Sequence, residues 1–132
     1  MNISPYMHLP FKEQGRDHTG VDCYGLAYLI YREQLGLDVP TYTESYTTSK
    51  DSEEISAIIN RERLSTWQPI AREDVQPGDL VILRIIGQPW HCGIMLGKTK
   101  FLHIERDANV CQDDLMSIRW SRRFEGFYRW KS

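Results

Sequence analysis

The sequence lacks the features that mark membrane, nucleic-acid-binding and secreted proteins. Its apolar runs fall short of the ~18 residues that a membrane-spanning helix needs. Lys and Arg total 16 against 18 Asp and Glu, a formal net charge of −2, so the charge balance predicts neither a nucleic-acid partner nor an anionic membrane surface. Residues 1–12 have neither a basic start nor an apolar stretch, so we expect no secretory signal.

Cysteine is scarce and odd in number, with three residues in the chain. An odd count argues against a disulfide framework, and we expect the chain to be made and folded in a reducing cytosol. With 132 residues and no internal repeat, the chain is expected to form one domain, 1–132, around one core. Basic residues cluster near the C-terminus, where a solvated face is expected: Arg119, Arg122, Arg123, Arg129 and Lys131.

Two helices are predicted in the first half of the chain. Apolar residues recur at helical spacing over Asp22–Leu35, and Gly36 follows as the residue that ends this helix. The polar, turn-rich segment Gln14–Gly20 before it is typical of a loop. Asp51, with Glu54 three residues later, forms a capping-box pattern that predicts the start of a second helix.

The second half of the chain predicts a run of strands. Apolar, β-branched segments follow one another there, separated by short turns rich in Gly and Pro. The predicted strands are Leu80–Ile86, His91–Leu96, Lys100–Ile104, Asn109–Gln112 and Phe124–Trp130. Helices first and hairpin-connected strands afterwards predict an α+β fold, in which N-terminal helices pack on an antiparallel sheet of five to six strands.

The most reactive position in this arrangement is Cys23, which falls in the first turn of the first predicted helix. The unpaired N–H groups and the positive end of the helix dipole lower the pKa of a thiol at that place, which favours the nucleophilic thiolate. The same N–H groups can stabilise the oxyanion of a tetrahedral intermediate. Cys92 and Cys111 are expected to be strand residues packed in the core.

Two histidines complete a candidate catalytic set. His91 opens the second predicted strand, and His103 lies near the end of the third. An antiparallel hairpin makes them cross-strand neighbours whose rings can form a hydrogen bond. A histidine base oriented by a second polar group is what a thiol hydrolase needs. Each histidine taken alone is more often structural, and it is the combination with Cys23 that favours catalysis.

Zinc is an alternative interpretation of these residues, because Cys23, His91 and His103 could supply three ligands. No CxxC or HxxxH pair anchors such a site, so neither a metal nor another cofactor is predicted.

Four segments together resemble the NlpC family of cell-wall cysteine peptidases, in particular its bacteriophage tail branch. The spacing from His91 to His103 is that of the family, and so is the order of cysteine, histidine and third polar residue. The resemblance covers nearly the whole chain. The matching segments are Gly15–Leu26, Pro77–Val81, His91–Gly97 and Phe101–His103.

The resemblance implies a papain-like fold and hydrolysis of amide bonds in peptidoglycan stem peptides. The usual target in the family is the bond from the γ-carboxyl of D-glutamate to the diamino acid. By the match, Cys23 is the nucleophile, His91 the base and His103 the third member. The backbone N–H of Cys23 would contribute to the oxyanion hole.

The resemblance also implies the substrate-binding residues, with two departures. Cell-wall members often have a tyrosine twelve residues before the cysteine, where this chain has Phe11 and so lacks the hydroxyl. After the cysteine they commonly carry a serine, which with the preceding Asp holds the free amine of the stem peptide. Here Asp22 is kept, and Tyr24 replaces the serine and is expected to reshape the pocket. Trp90, beside the base, either lines the cleft or packs.

The function implied is that of a phage tail-associated peptidase that aids passage through the cell wall during infection. Such a protein is made in the host cytoplasm, travels in the virion tail and acts in the periplasm or cell wall, with other tail proteins as partners. An alternative is a tail-tip assembly protein on the same fold, with a vestigial or protein-directed active site. A third interpretation is an acyltransferase with the same thiol chemistry, although no segment is obviously built as the long apolar groove that it needs.

Overall fold

The computed structural model describes residues 1–44, 57–58, 61–62, 66–85 and 88–131, with backbone alone for 85 and 88–90. A short hairpin of β1 (Arg16–Asp17) and β2 (Gly20–Val21) precedes the helix α1 (Cys23–Gln34). The strands that follow are β3 (Trp67–Ile70), β4 (Leu80–Ile85), β5 (Gln88–Met95), β6 (Lys100–His103), β7 (Cys111–Asp114) and β8 (Phe124–Trp130). Single 3-10 turns form at Ser4–Tyr6 and Arg72–Asp74.

Strands β3 to β8 form one six-stranded sheet in the order β3-β8-β4-β5-β6-β7. Every neighbouring pair in it is antiparallel, which confirms the predicted α+β fold and sheet. The described part of the chain holds one complete α-helix, α1, where two N-terminal helices were predicted. Residues 57–58 and 61–62 are helical, and the rest of the second helix predicted from Asp51 lies outside the described residues.

Three local predictions are corrected by the structure. The segment Gln14–Gly20, predicted as a loop, contributes β1 and the start of β2, which pair with each other. Strand β3 was not predicted at all, and β7 begins two residues later than the predicted strand Asn109–Gln112. Among the described residues, no helix has the length and apolar character needed to cross a membrane.

Helix α1 begins where Asp22 caps it. The Asp22 side chain accepts a hydrogen bond from the backbone N–H of Gly25 at 2.8 Å, which satisfies one of the N–H groups that have no partner within the helix. The helix ends at Gln34, and Gly36 follows with φ +64°, a left-handed conformation that glycine adopts without strain. These two local signals explain why the sequence predicts this helix to within one residue at each end.

Both faces of the sheet are buried. Residues alternate between the two faces along a strand, and in β4 Leu80 and Ile82 pack in the same cluster as the apolar residues of α1. Val81 and Leu83 belong instead to a second cluster around the fully buried Trp120. A strand with two buried faces reads as a continuous apolar run, as β4 does.

Two members of the C-terminal basic cluster take part in ion pairs within the chain. Arg129 donates from Nε and Nη2 to the two carboxylate oxygens of Asp79 at 2.7 and 2.8 Å. Asp79 also accepts from the backbone N–H of Gln76 at 2.8 Å, so it fixes the turn before β4 against β8. Arg119 donates to Glu105 at 2.6 Å. These two arginines are therefore part of the fold.

Gly25 lies where α1 meets the β1–β2 hairpin, and its lack of a side chain is a packing requirement. A Cβ added there would come within 1.9 Å of the Gly15 carbonyl oxygen. We expect Gly25→Ala to reduce the free energy of unfolding by ~3 kcal/mol or more, because the clash is with backbone. Gly97→Ala is the matched control, since nothing lies within 4 Å of the added carbon, and its effect should stay within ~0.5 kcal/mol. Urea unfolding of both variants checks this, and equal stabilities would contradict the packing argument.

Candidate active site

Cys23 is the first residue of α1, as the sequence predicts. It is partly exposed, and its side chain packs at the edge of the core that α1 forms with the sheet. The backbone around it is fixed by Asp22, whose carboxylate accepts from Arg16 Nη1 at 2.8 Å and from the N–H of Gln14 at 3.0 Å. These contacts hold the start of the helix against the preceding loop, so the thiol has a defined position.

The thiol of Cys23 lies against the strand β5. Its pKa is held well below the usual value, first by a hydrogen bond with the Cys92 side chain and then by the neighbouring His91 ring and its positive charge. Burial acts in the opposite direction and is outweighed. The thiolate, which is the nucleophile, is therefore favoured at Cys23. For Cys92, the neighbouring Cys23 raises the pKa well above the usual value.

His91 and His103 form the hydrogen bond predicted from the sequence, at 2.8 Å between His91 Nε2 and His103 Nδ1. The two strands pair Ile94 with Leu102, a register that puts His103 opposite Gly93 and makes the histidines diagonal neighbours. A Cβ on Gly93 would lie 3.3 Å from the His103 Cβ. The missing side chain at Gly93 therefore leaves room for the rings to meet.

Asp113 extends this pair and was not predicted as a site residue. Its Oδ2 lies 2.9 Å from His103 Nε2. The Asp113 carboxylate, His103 and His91 therefore form one chain of hydrogen bonds across β7, β6 and β5. His91 and His103 are buried, while the Asp113 side chain is 33% exposed. No sequence signal marks Asp113, because its place beside His103 depends on the pairing of β6 with β7.

The chain of hydrogen bonds from Asp113 through His103 determines which nitrogen of His91 carries the proton. A carboxylate only accepts hydrogen bonds, so His103 Nε2 carries a proton and donates it to Asp113. His103 Nδ1 is then the acceptor, and His91 Nε2 must donate to it. The remaining nitrogen of His91, Nδ1, keeps its lone pair, and it is the one left for the Cys23 thiol. This is the tautomer that a general base for Cys23 requires.

This assignment requires His103 to be neutral. Burial, first, and the nearby charge of His91, second, lower the pKa of His103 to about 4, although Asp113 acts against them. His103 therefore carries a single ring proton at neutral pH and can accept from His91 while it donates to Asp113.

Aromatic side chains enclose the two histidines. Trp120 is fully buried, and its ring stacks on His91 with the centroids 6.1 Å apart at an interplanar angle of 17°. It also meets the His103 ring edge-on at 5.3 Å. The ring of Phe101 packs against that of His103, with the ring centroids 4.8 Å apart. Trp120 and Phe101 shield the hydrogen bond between the histidines from water. Trp120 lies far along the chain in an irregular segment, where no sequence pattern connects it to the site.

The predicted substrate-binding residues flank Cys23 to different extents. Phe11 forms a backbone bridge with Val21, two residues before Cys23. Tyr24 is half-buried, and its hydroxyl donates to the Pro40 carbonyl at 2.7 Å. That hydroxyl is thus held within the fold while the ring remains in the first turn of α1. The side chain of Trp90 lies outside the described residues.

Asp22 has a clear structural task that the sequence comparison did not reveal. Its side chain is 1% exposed and bonds three protein donors, which are two backbone N–H groups and Arg16. A direct contact of Asp22 with a substrate amine stays a prediction.

Cys92 and Cys111 have different surroundings, although both were expected in the core. Cys92 is buried in the cluster that α1 forms with the sheet. Cys111 is only partly buried, because it lies on the edge strand β7, and its sulfur is 3.5 Å from His103 Nε2. The ligand atoms of His103, Cys111 and Asp113 lie within 4.8 Å of one another. This set differs from the alternative zinc set considered above, which included Cys23 and His91.

A helix-start cysteine with a lowered pKa beside an oriented histidine is the arrangement of a thiol hydrolase. The chain belongs to the NlpC/P60 family, since the sequence profile of that family matches residues 8–129. The predicted family is thereby confirmed.

Curated relatives are bacterial murein hydrolases. The chain is 27% identical over 110 residues to the murein DD-endopeptidase MepS/murein LD-carboxypeptidase of Escherichia coli K12, a match that covers 83% of this chain and 50% of that protein. It is 30% identical over 115 residues to the murein DD-endopeptidase MepH of the same organism, covering 84% of this chain and 36% of that protein. The chain thus spans about half the length, or less, of these two relatives.

Solved structures share the fold. An NlpC/P60 family protein from Bacillus cereus superposes with a TM-score of 0.67 at 21% identity, covering 96% of this chain and 37% of that one. The NlpC/p60 domain of the peptidoglycan hydrolase SagA gives 0.59 at 21% identity, covering 94% of this chain and 89% of that domain.

Proposed function

We propose that this protein is a cysteine peptidase that hydrolyses amide bonds in peptidoglycan stem peptides. The observation that carries the proposal is the Cys23 thiol of lowered pKa beside His91, whose Nδ1 is kept as an acceptor through His103 and Asp113. Membership of a family whose relatives are named murein endopeptidases supports peptidoglycan as the substrate.

The geometry supports a two-step reaction. The Cys23 thiolate attacks the carbonyl carbon of the scissile amide, and N–H groups in the first turn of α1 stabilise the oxyanion. His91, protonated by the thiol, gives its proton to the leaving amine, and a thioester to Cys23 remains. In the second step water attacks this thioester, His91 accepts the proton of the water, and the thiol is released.

Three bonds in peptidoglycan are candidates. The motif resemblance favours the bond from the γ-carboxyl of D-glutamate to the diamino acid. The names of the E. coli relatives point instead to DD cross-links and to an LD-carboxypeptidase reaction. We favour the first, and the masses of the released fragments distinguish it from the others.

The biological setting that we propose is a bacteriophage tail, with the peptidase acting in the periplasm or cell wall during infection alongside other tail proteins. Support for this setting comes from the motif resemblance to the tail branch alone.

The test is digestion of purified Gram-negative peptidoglycan, with the fragments identified by mass spectrometry. We expect the wild type to release stem-peptide fragments that the folded Cys23→Ala variant does not release, because the variant lacks the nucleophile. Fragments that end at D-glutamate would identify the proposed bond. Release by both proteins would contradict a cysteine mechanism. Release by neither would favour the assembly protein on the same fold.

A further inference from the structure

We propose that His103, Cys111 and Asp113 form a binding site for a zinc-type divalent cation, and that binding there switches off the catalytic base. The residues lie on two neighbouring strands: His103 ends β6, and Cys111 begins β7 directly opposite it. Asp113 is two residues after Cys111 and so projects from the same face of β7. The three ligand types are therefore presented together by two paired strands.

The distance between Cys111 and His103 matches that of a tetrahedral zinc site. The Cys111 sulfur and His103 Nε2 are 3.5 Å apart. With Zn–S of ~2.3 Å and Zn–N of ~2.0 Å, two ligands at a tetrahedral angle are separated by about that distance. His103 Nε2 and the Asp113 oxygen are 2.9 Å apart. A small rotation of the partly exposed carboxylate would separate these two atoms enough for the ion to bind both.

The charge and the access at the site also suit a divalent cation. A Cys111 thiolate and the Asp113 carboxylate together balance two positive charges, and the thiol proton goes to solvent when the metal binds. The partial exposure of Cys111 and Asp113 provides a path for the ion and a fourth position for water. Arg119, whose positive charge acts on Cys111, is paired with Glu105 at 2.6 Å.

Binding at this site changes the hydrogen bonds of His91 without any contact to Cys23. A metal on His103 Nε2 takes the lone pair there, so the single proton of the neutral ring moves to Nδ1. His103 then donates to His91 Nε2, and the proton of His91 must lie on Nδ1, the nitrogen that would otherwise accept from Cys23. The base therefore has the wrong tautomer. This inhibitory consequence rests on the proposed hydrolase, whereas the binding itself does not.

The binding test uses the Cys23→Ala protein, so that the nucleophile cannot act as a ligand. Isothermal titration with Zn²⁺ should show one saturable site, and Co²⁺ should give a thiolate-to-cobalt charge-transfer band. Cys111→Ser in the same background should lose the band and weaken zinc binding by at least ~10-fold, since losing even an outer-shell partner of a metal costs ~10- to 100-fold. Equal affinity with and without Cys111, or no saturable binding, would overturn the proposal.

The second test measures zinc inhibition of peptidoglycan hydrolysis, with each protein compared with its own zinc-free rate. We expect a chelator to restore the wild-type rate, and Cys111→Ser to need at least ~10-fold more zinc for the same inhibition. Equal inhibition of both proteins would place the metal at Cys23 and His91 and overturn the switch. If neither protein hydrolyses peptidoglycan without zinc, the proposed function fails, and the titration still decides whether the site exists.

Discussion

Exchange of His91 for Ala should lower kcat/KM for stem-peptide hydrolysis by at least ~10⁴-fold, because members of a catalytic unit act together. His91 is the group that accepts the thiol proton and returns it to the leaving amine. It also helps to keep the pKa of Cys23 low. We therefore expect a second effect, namely slower alkylation of Cys23 by iodoacetamide at about pH 6.5, where a thiol of ordinary pKa is almost fully protonated.

Hydrolysis rates and peptide mapping of the alkylated cysteine check both effects. His18→Ala is the matched control, since His18 is an exposed histidine that pairs with Glu33, and it should leave both readouts unchanged. Circular dichroism shows whether each variant is folded, and His91→Gln offers a second variant that fills more of the buried space. A folded His91 variant with wild-type turnover would exclude His91 as the base.

Exchange of Asp113 for Asn should lower kcat by ~10²- to 10⁴-fold, the scale seen when the carboxylate that orients a catalytic histidine becomes an amide. An amide at this position can donate to His103 Nε2, which favours the ring proton on Nδ1. His103 then no longer accepts from His91, and the His91 proton moves to the nitrogen that faces Cys23. The carboxylate touches no substrate in this scheme, so Asp113 is a positioning residue and KM should change little.

Asp114→Asn is the matched control, because Asp114 is the next residue on β7 and pairs with Lys100 at 3.4 Å. Asp113→Glu, which keeps a carboxylate, should recover part of the lost rate. If Asp113→Asn behaved like Asp114→Asn, the chain from Asp113 to His91 would have no catalytic role.

The same scheme gives a pH dependence for the wild type. His103 has a pKa of about 4, below the usual value, chiefly because it is buried. As the pH falls towards that value, a second proton on the ring turns Nδ1 from acceptor to donor, and the rate should fall. Because the unfolded chain takes up this proton at higher pH than the folded one, the stability of the fold also decreases between about pH 6.5 and pH 4.

The features predicted from the sequence are those with local causes. The start of α1 depends on Asp22 and the residues next to it, and its end depends on Gly36. The helix was therefore located to within one residue. The apolar run of β4 likewise results from burial on both faces. By contrast, β3 contains Pro69 and the polar Gln68, and a short edge strand of this kind carries little apolar pattern.

The residues Cys23, His91 and His103 of the site were predictable from the sequence, whereas Asp113 and Trp120 were not. Cys23, His91 and His103 can be connected by one helix start and one hairpin. Asp113 and Trp120 reach the histidines only through the pairing of β6 with β7 and the path of the chain after β7. Those placements depend on long-range packing, for which a single sequence carries no periodic signal.

Asp113, the last group in the chain of hydrogen bonds that begins at His91, lies on the edge strand β7. β7 has one strand neighbour in the six-stranded sheet, and an edge strand separates from a sheet at a lower free energy than the whole domain unfolds. When β7 separates, Asp113 leaves His103 while α1 and the central strands stay folded. On heating, hydrolysis should therefore stop before helix α1 unfolds. The loss of turnover should have a lower midpoint temperature than the loss of the helical circular dichroism signal.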